Sequence, residues 1–414
     1  MTKLWRSGVI LSGAGLVAGL GNYAFQAIIG RSLDKAEYGY VNSTLGFIGL
    51  LGLPLAIAST SVTHYIAHYR AIGDEARLQG LLSGCRTFLF RLTLAGSVAA
   101  ALLVKPLSSF FHFPRPGLML VALVCALGGL WGALVTTLCQ GMGWFGRMAV
   151  LGLAVMALRL SAGSVMVWEH PAAEPAVLAS GVALLANLMW LRWRRELPRK
   201  GDAVSPWNLE FAQYLGVGAA WAVGCYCLTQ GDLLVAQRNF PGRELGLYTA
   251  AGLLARALPM VVAPMLAVLF TSRSGHRTAS ALREQLKLLG LYAAGLVAGA
   301  AALLLLREFW VRLIFGQYTP EAAAMVARLA LTMVFIGLMQ ALGMWALASR
   351  WLRVALLYGA SGLIYWLVLL IWGKTPAVML NLMPAAAGGA LAVLFILWLA
   401  AMRRAPAPVL GPRQ

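Results

Sequence analysis

The sequence predicts an all-α, polytopic membrane protein with twelve transmembrane helices, arranged as two six-helix lobes related by a parallel repeat. Hydrophobic residues occupy 60% of the 414 positions, charged residues occupy only 11%, and the mean hydropathy is +0.78. This composition excludes an ordinary soluble domain. Apolar runs of about 18 residues or more recur along the chain, and each is long enough to cross a bilayer as a helix.

A duplicated segment indicates the two-lobe arrangement. The polar turn at residues 31–41 returns 207 positions later, at residues 238–248. The identical residues in the two copies are Arg31 and Arg238, Glu37 and Glu244, and Gly39 and Gly246. Six helices in each half is an even number, so both halves have the same orientation. Parallel repeats of this kind occur in transporters, where a cavity lies between the two halves.

Twelve apolar spans follow one another along the chain. The first half contains Gly8–Ile29, Tyr40–Ile66, Cys85–Val104, Gly117–Cys139, Met148–Trp168 and Pro175–Leu191. The second half contains Phe211–Ala236, Leu247–Thr271, Leu286–Leu306, Glu321–Leu347, Val354–Trp372 and Ala377–Met402. The predicted domains are therefore an N-terminal lobe (1–191), a basic cytoplasmic linker (192–210), a C-terminal lobe (211–402) and a disordered cytoplasmic tail (403–414).

The distribution of lysine and arginine predicts the orientation. Twenty of the 33 basic residues fall on the side of the predicted membrane that holds both termini, and nine fall on the other side. The positive-inside rule therefore places both termini in the cytoplasm. This placement also explains the net charge of +19 without a nucleic-acid partner. We expect a multi-pass membrane protein.

The other four basic residues, Arg91, Arg159, Arg256 and Arg328, lie within predicted spans. Arg159 and Arg256 fall near the middle of the bilayer, where a lone cation costs several kcal/mol, so they should face protein or a wet cavity. Two interpretations stay open for them, a cavity role and a structural role in which they bond to backbone carbonyls. Arg91 and Arg328 lie nearer an interface, where their side chains can also extend to the headgroups.

Only one acidic residue, Asp232, falls within a predicted span. A cavity lined by these arginines would attract an anion, and the bidentate geometry of guanidinium favours phosphate. Asp232 either neutralises Arg238 or Arg243 or binds a coupling proton or sodium ion.

Asn22 and Gln26 are four residues apart on one helix face, where they either contact sugar hydroxyls in a cavity or bond to other helices. The candidate substrate-binding residues are Arg159, Arg256, Arg91, Arg328, Asn22 and Gln26.

Short motifs in both halves resemble a known group of transporters. They are the turn from Arg31 to Gly39, Gln230-Gly231-Asp232-Leu233-Leu234, Gly246-Leu247-Tyr248-Thr249-Ala250-Ala251 and Phe315-Gly316-Gln317-Tyr318. With these motifs the chain resembles the polysaccharide-type (Wzx-like) flippases of the multidrug/oligosaccharidyl-lipid/polysaccharide (MOP) exporter superfamily. The topology agrees over nearly the whole chain.

The resemblance implies a MATE-like fold that alternates between inward-open and outward-open states. It implies a flippase that carries a polyprenyl-pyrophosphate-linked oligosaccharide to the outer leaflet for synthesis of O-antigen or exopolysaccharide. The implied partners are that glycan lipid, membrane lipids and the polysaccharide polymerase machinery, and we expect a monomer. No cofactor is implied, and coupling to a proton gradient, a sodium gradient or the membrane potential stays open.

Two departures from the superfamily pattern matter. The drug-exporting branch generally has carboxylates within its lobes, and the first half has none. The lipid II branch usually has two further helices, which this sequence lacks.

A cation-coupled drug or metabolite antiporter is the alternative function. A membrane-embedded glycosyltransferase, or a scaffold for one, is a third hypothesis, but the sequence shows no catalytic or metal-binding motif, so we predict a protein that is not an enzyme.

Overall fold

A computed structural model describes residues 2–182, 209–275, 279–316, 319–348 and 352–404. These residues form helices joined by short turns, and none of them is in a strand. The helices are α1 (Thr2–Ser32), α2 (Lys35–Ile72), α3 (Glu75–Phe110), α4 (Pro116–Gly141), α5 (Phe145–Glu169), α6 (173–182 as far as described), α7 (Leu209–Thr229), α8 (Gly231–Asn239), α9 (Gly242–Gly275), α10 (Ala279–Leu305), α11 (Arg307–Phe315), α12 (Pro320–Ala348), α13 (Leu352–Trp372) and α14 (Pro376–Arg404).

The described helices confirm an all-α, multi-pass membrane protein. Seven of them are long and apolar enough to cross a bilayer, and α2 adds an eighth if its two parts, bent by 45°, form one span. Each predicted span overlaps at least one described helix. The count of twelve spans stays a prediction, because the sixth span continues beyond residue 182 and the seventh is divided.

The chain divides into two compact units, residues 1–219 and 220–414. The boundaries that we predict for the lobes (1–191 and 211–402) stay predictions. Most of the predicted linker (192–210) lies outside the described residues, as does the predicted tail (403–414) beyond Arg404.

The turn between α2 and α3 shows how local chemistry sets the helix ends. Gly73 ends α2 with φ of 71°, a left-handed conformation that glycine adopts without a Cβ penalty. Asp74 then caps α3, because its side chain accepts a hydrogen bond from the Arg77 backbone N–H at 3.0 Å. As a result α3 begins at Glu75, ten residues before the apolar run predicted from Cys85.

The packing of the helices repeats from one unit to the other. In the first unit α1 packs on α5 and α2 packs on α4; in the second, α8 packs on α13 and α9 packs on α12. Apolar residues of the duplicated turn are buried in both copies. Tyr38 and Leu245, which occupy the same position in the repeat, are each 0% exposed.

Each unit also carries an ion pair at the end where α2 or α9 begins. Glu37 accepts hydrogen bonds from Arg115 Nη2 in the first unit, and Arg243 Nη2 donates to Glu321 in the second. Both pairs join residues that are 78 positions apart. They therefore lie at the same ends of corresponding helices, one position out of register with the offset of 207, and the acid and the base are exchanged between the two helices.

The predicted span Phe211–Ala236 is not one continuous helix. It breaks at Gln230, which has φ of −134° and ψ of −20°, into α7 and α8. The equivalent helix of the first unit, α1, is unbroken. A break in a membrane helix leaves backbone groups that must find other partners, and the side chains that supply them form part of the candidate site.

Candidate functional site

Arg159 lies on α5 and reaches across to α1. It is the fifteenth residue of α5, about 21 Å from the start of that helix at about 1.5 Å per residue. Its Nη1 donates to Asn22 Oδ1 at 2.7 Å. Its Cζ lies 4.6 Å from the centre of the Phe25 ring, a cation–π contact. Two residues of α1, both uncharged, therefore hold this guanidinium.

The charge of Arg159 is not balanced by any carboxylate of the described residues. Its Nε is buried and donates no hydrogen bond to them, and none of their carboxylates forms an ion pair with it. A carbonyl dipole and a ring quadrupole compensate a buried charge only in part. The α1–α5 contact is therefore a place where an anion would be stabilised.

Asn22 and Gln26 lie on the face of α1 that carries this contact. The sequence left two interpretations open for Asn22, a contact with sugar hydroxyls and a hydrogen bond to another helix. The structure shows a hydrogen bond to another helix, from Arg159 on α5. Gln26 is only 4% exposed, and its Oε1 accepts no hydrogen bond from the described residues. The contact therefore contains an acceptor and a donor, Gln26 Oε1 and Arg159 Nε, that are both buried and unsatisfied.

Arg256 has a different environment in the second unit. Its Nη2 forms a hydrogen-bonded ion pair with Asp232 Oδ2, and its Nε donates to the backbone carbonyl of Thr229 at 2.8 Å. The Tyr248 hydroxyl donates to the same Asp232 oxygen. The side chain of Arg256 is 13% exposed and that of Asp232 is 0% exposed. This guanidinium is largely buried, paired with a carboxylate and bonded to a backbone carbonyl.

These contacts stabilise the break between α7 and α8. Arg256 takes the carbonyl of Thr229, the last residue of α7, and Trp366 Nε1 donates to the carbonyl of Gly231 at 3.0 Å. Asp232 lies in the first turn of α8, where the helix dipole favours a negative charge. Of the two interpretations of Arg256, the observed contacts are those of the structural one, which bonds to backbone carbonyl and carboxylate.

The predicted partner of Asp232 is wrong. We expected Arg238 or Arg243, the basic residues of the following turn, but the ion pair is formed by Arg256. Arg243 pairs instead with Glu321 at 3.0 Å. The physical reason is the helix break, which turns the first residues of α8 toward α9 rather than toward the loop after α8.

Arg91 and Arg328, the other two candidate arginines, are exposed on α3 and α12. Neither forms an ion pair with a described residue. The structure therefore groups Arg159 with Asn22 in the first unit and Arg256 with Asp232 in the second. It brings neither Arg91 nor Arg328 into these clusters.

Sequence reasoning missed the aromatic residues of both clusters. Phe25 lies under Arg159, and Tyr248 and Trp366 support the second cluster. Tyr365, the neighbour of Trp366 in sequence, is 1% exposed, and its hydroxyl oxygen forms no hydrogen bond to a described residue. For Phe25 the signal in the sequence was its position between Asn22 and Gln26 on the same helix.

Comparisons with known proteins support the fold. No protein-family model matches the sequence, and no curated protein matches it. A solved structure described as an inward-facing multidrug resistance MATE family transporter of the MOP superfamily aligns with a TM-score of 0.72, at 12% identity, over 96% of this chain and 99% of that chain. An outward-facing structure with the same description aligns with a TM-score of 0.66 at 14% identity, over 96% of each chain.

The lipid II flippase MurJ, in an inward closed conformation, aligns with a TM-score of 0.65 at 11% identity, over 94% of this chain and 87% of that chain. At these identities the comparisons show the fold alone, which is that of MOP-superfamily transporters, and they leave the substrate open.

Proposed function

We propose that this protein is a lipid-linked oligosaccharide flippase, in which Arg159 binds the pyrophosphate of a polyprenyl-pyrophosphate-linked glycan. The substrate moves from the cytoplasmic to the outer leaflet of a bacterial inner membrane by alternating access. The flipped product then serves the polymerases that build O-antigen or exopolysaccharide. No bond of the substrate is made or broken, so the protein is a transporter and not an enzyme.

The observation that carries this proposal is the charge imbalance around Arg159. The guanidinium of Arg159 lies far from the ends of its helix. Among the described residues it contacts an amide oxygen and an aromatic ring, so a bound anion would balance its positive charge. Phosphate oxygens suit its planar donors. Asn22 and Gln26 beside it supply the neutral polar groups that sugar hydroxyls bind.

The positions of the acidic side chains in the first unit also agree with an anionic substrate. The acidic residues of the described first unit lie at helix ends, where Glu37 and Glu174 pair with Arg115 and Asp74 caps α3. An organic cation would therefore meet no buried carboxylate in that unit. Fold similarity to a lipid II flippase is compatible with a pyrophosphate-linked substrate.

The second candidate is a cation-coupled drug or metabolite antiporter, which the fold similarity to MATE transporters favours. The pairing of Asp232 with Arg256 argues against it, because that carboxylate is the buried one that an exported cation or a coupling ion would use. The two candidates predict opposite charges for the ligand.

Native mass spectrometry of the detergent-purified protein tests the proposal. Wild type should carry a polyprenyl-pyrophosphoryl glycan, and Arg159→Gln should lose it about tenfold or more, as expected for removal of a charge-assisted hydrogen bond worth about 1.5–3 kcal/mol. Arg91→Gln is the matched control, because it removes an exposed arginine of the same unit.

Equal glycan occupancy in wild type and Arg159→Gln would contradict the phosphate site. If wild type carries only bulk phospholipid and proteoliposomes instead export an organic cation against a sodium or proton gradient, the antiporter is the better conclusion.

A further inference from the structure

Arg256 occupies a site built from oxygen atoms. Its guanidinium contacts a carboxylate oxygen of Asp232 and the carbonyl oxygen of Thr229, which the helix break has released from α7. The hydroxyl of Tyr248 binds the same carboxylate oxygen. Carboxylate, carbonyl and hydroxyl oxygens at a broken helix are the ligands that small hard cations prefer.

The second carboxylate oxygen of Asp232 has no partner among the described residues. Asp232 Oδ1 is buried and unsatisfied, and so is the hydroxyl of Tyr365 on α13, the helix that packs on α8. Asp232 is 0% exposed and Tyr365 is 1% exposed, so bulk water does not reach either side chain. The cluster therefore has more oxygen than the guanidinium uses.

The charge of the cluster is balanced only while Arg256 occupies it. One carboxylate and one guanidinium sum to zero, and the neighbouring Tyr226, Tyr248 and Tyr365 are neutral phenols. A mobile cation added to this neutral pair would leave one uncompensated positive charge in a medium of low dielectric, at a cost of several kcal/mol.

We propose that Arg256 is a tethered occupant of a monovalent-cation site centred on Asp232, so that the wild-type protein takes up no mobile cation at this carboxylate. Removing the guanidinium opens a site for a sodium-sized ion with Asp232, the Thr229 carbonyl and the Tyr248 hydroxyl as its oxygen ligands. This inference concerns the second unit alone and does not rest on the proposed substrate.

Thermal unfolding in sodium chloride and in choline chloride of equal ionic strength, at pH 8, tests the proposal. The melting temperature of wild type should be the same in both salts. Arg256→Gln should melt lower than wild type in choline, and its melting temperature should rise by roughly 1.5 °C or more in sodium, as expected for a ligand present at about ten times its Kd. Lithium should act like sodium, because both are small hard cations.

Three controls assign the effect to this site. Arg256→Lys retains a tethered cation and should not respond to sodium. The double variant Arg256→Gln/Asp232→Asn lacks the carboxylate and should not respond either. Arg353→Gln removes an exposed arginine of the same unit and should behave as wild type does.

A saturable rise in the melting temperature of wild type with sodium would overturn the proposal. So would Arg256→Gln melting at the same temperature in both salts. If Arg256→Gln does not fold in choline, its purification provides the test: recovery of folded protein in sodium alone supports the site, and failure in both salts overturns it.

Discussion

The two units place an arginine at a similar distance along a helix and treat its charge in opposite ways. Arg159 and Arg256 are each the fifteenth residue of their helix, α5 and α9. Arg159 is held by an amide and a ring, whereas Arg256 is held by a carboxylate and a carbonyl. A duplicated fold can therefore hold one arginine with neutral groups and pair another with a carboxylate.

The difference originates in the backbone. In the second unit the break at Gln230 frees carbonyls and places Asp232 at a helix N-terminus, where Arg256 satisfies both. In the first unit the described helix α1 is continuous. Arg159 contacts the side chains of Asn22 and Phe25 on it, and no backbone carbonyl of α1 is among its described contacts. Position 159 plus the repeat offset of 207 is Trp366, which contacts the α7–α8 break through a neutral donor.

The largest effect that this comparison predicts comes from Asp232→Ala. It leaves a buried guanidinium without its counter-ion, which should lower the free energy of unfolding by about 3–5 kcal/mol. Arg159→Ala removes no ion pair and should cost about 1–2 kcal/mol, for one hydrogen bond and one cation–π contact. Thermal unfolding in detergent, followed by the tryptophan fluorescence of each variant, measures both.

The double variant Asp232→Asn/Arg256→Gln is the control for this pair. It removes both charges and should recover part of the loss, because an uncompensated charge is more costly than a neutral polar pair. Equal losses for Asp232→Ala and Arg159→Ala would show that the two arginines are held alike, and the comparison would fail.

An intermediate effect should come from the glycines that pack α7 against α13. A Cβ on Gly224 would lie 2.7 Å from Gly359 Cα, and one on Gly359 would collide with the Ala220 carbonyl. Gly359→Ala should therefore cost about 1–3 kcal/mol by overpacking. Its counterpart 207 positions earlier, Gly152, has no atom within 4 Å of a built Cβ.

Gly152→Ala should therefore be neutral or stabilising by up to about 1 kcal/mol, since alanine favours helix. Melting temperatures of the two alanine variants give the test. A loss at Gly152 as large as that at Gly359 would mean that the first unit is as tightly packed at this position as the second.

Run lengths and charge placement were enough to predict the helical class and to single out Arg159, Arg256 and Asp232 as the informative intramembrane residues. The partners of these residues could not be predicted. Arg159 and Asn22 are 137 residues apart, and which faces of α1 and α5 meet depends on packing that apolar runs do not encode. Arg256 reaches Asp232 only because the chain breaks at Gln230, and the sequence pattern predicted a continuous span there.

The smallest effects should distinguish the two exchanged ion pairs. Glu37 binds Arg115 and also accepts a hydrogen bond from the Ala173 backbone N–H at 2.7 Å, at the start of α6. Arg115 in turn binds Glu174 at 2.9 Å. Glu37→Ala therefore breaks a network that joins three helices and should cost about 1–2 kcal/mol.

Arg243→Ala breaks the equivalent pair of the second unit, whose side chains are 61% and 51% exposed. Solvent screens such a pair, so its loss should change stability by only about 0–0.5 kcal/mol. Unfolding in low and high salt separates the two cases. The contribution of the Arg243–Glu321 pair should fall further as ionic strength rises than that of the Glu37–Arg115 pair, whose side chains are 23% and 44% exposed. Equal losses for Glu37→Ala and Arg243→Ala would indicate that the contact to α6 contributes little, and that only the charges matter at this position of the repeat.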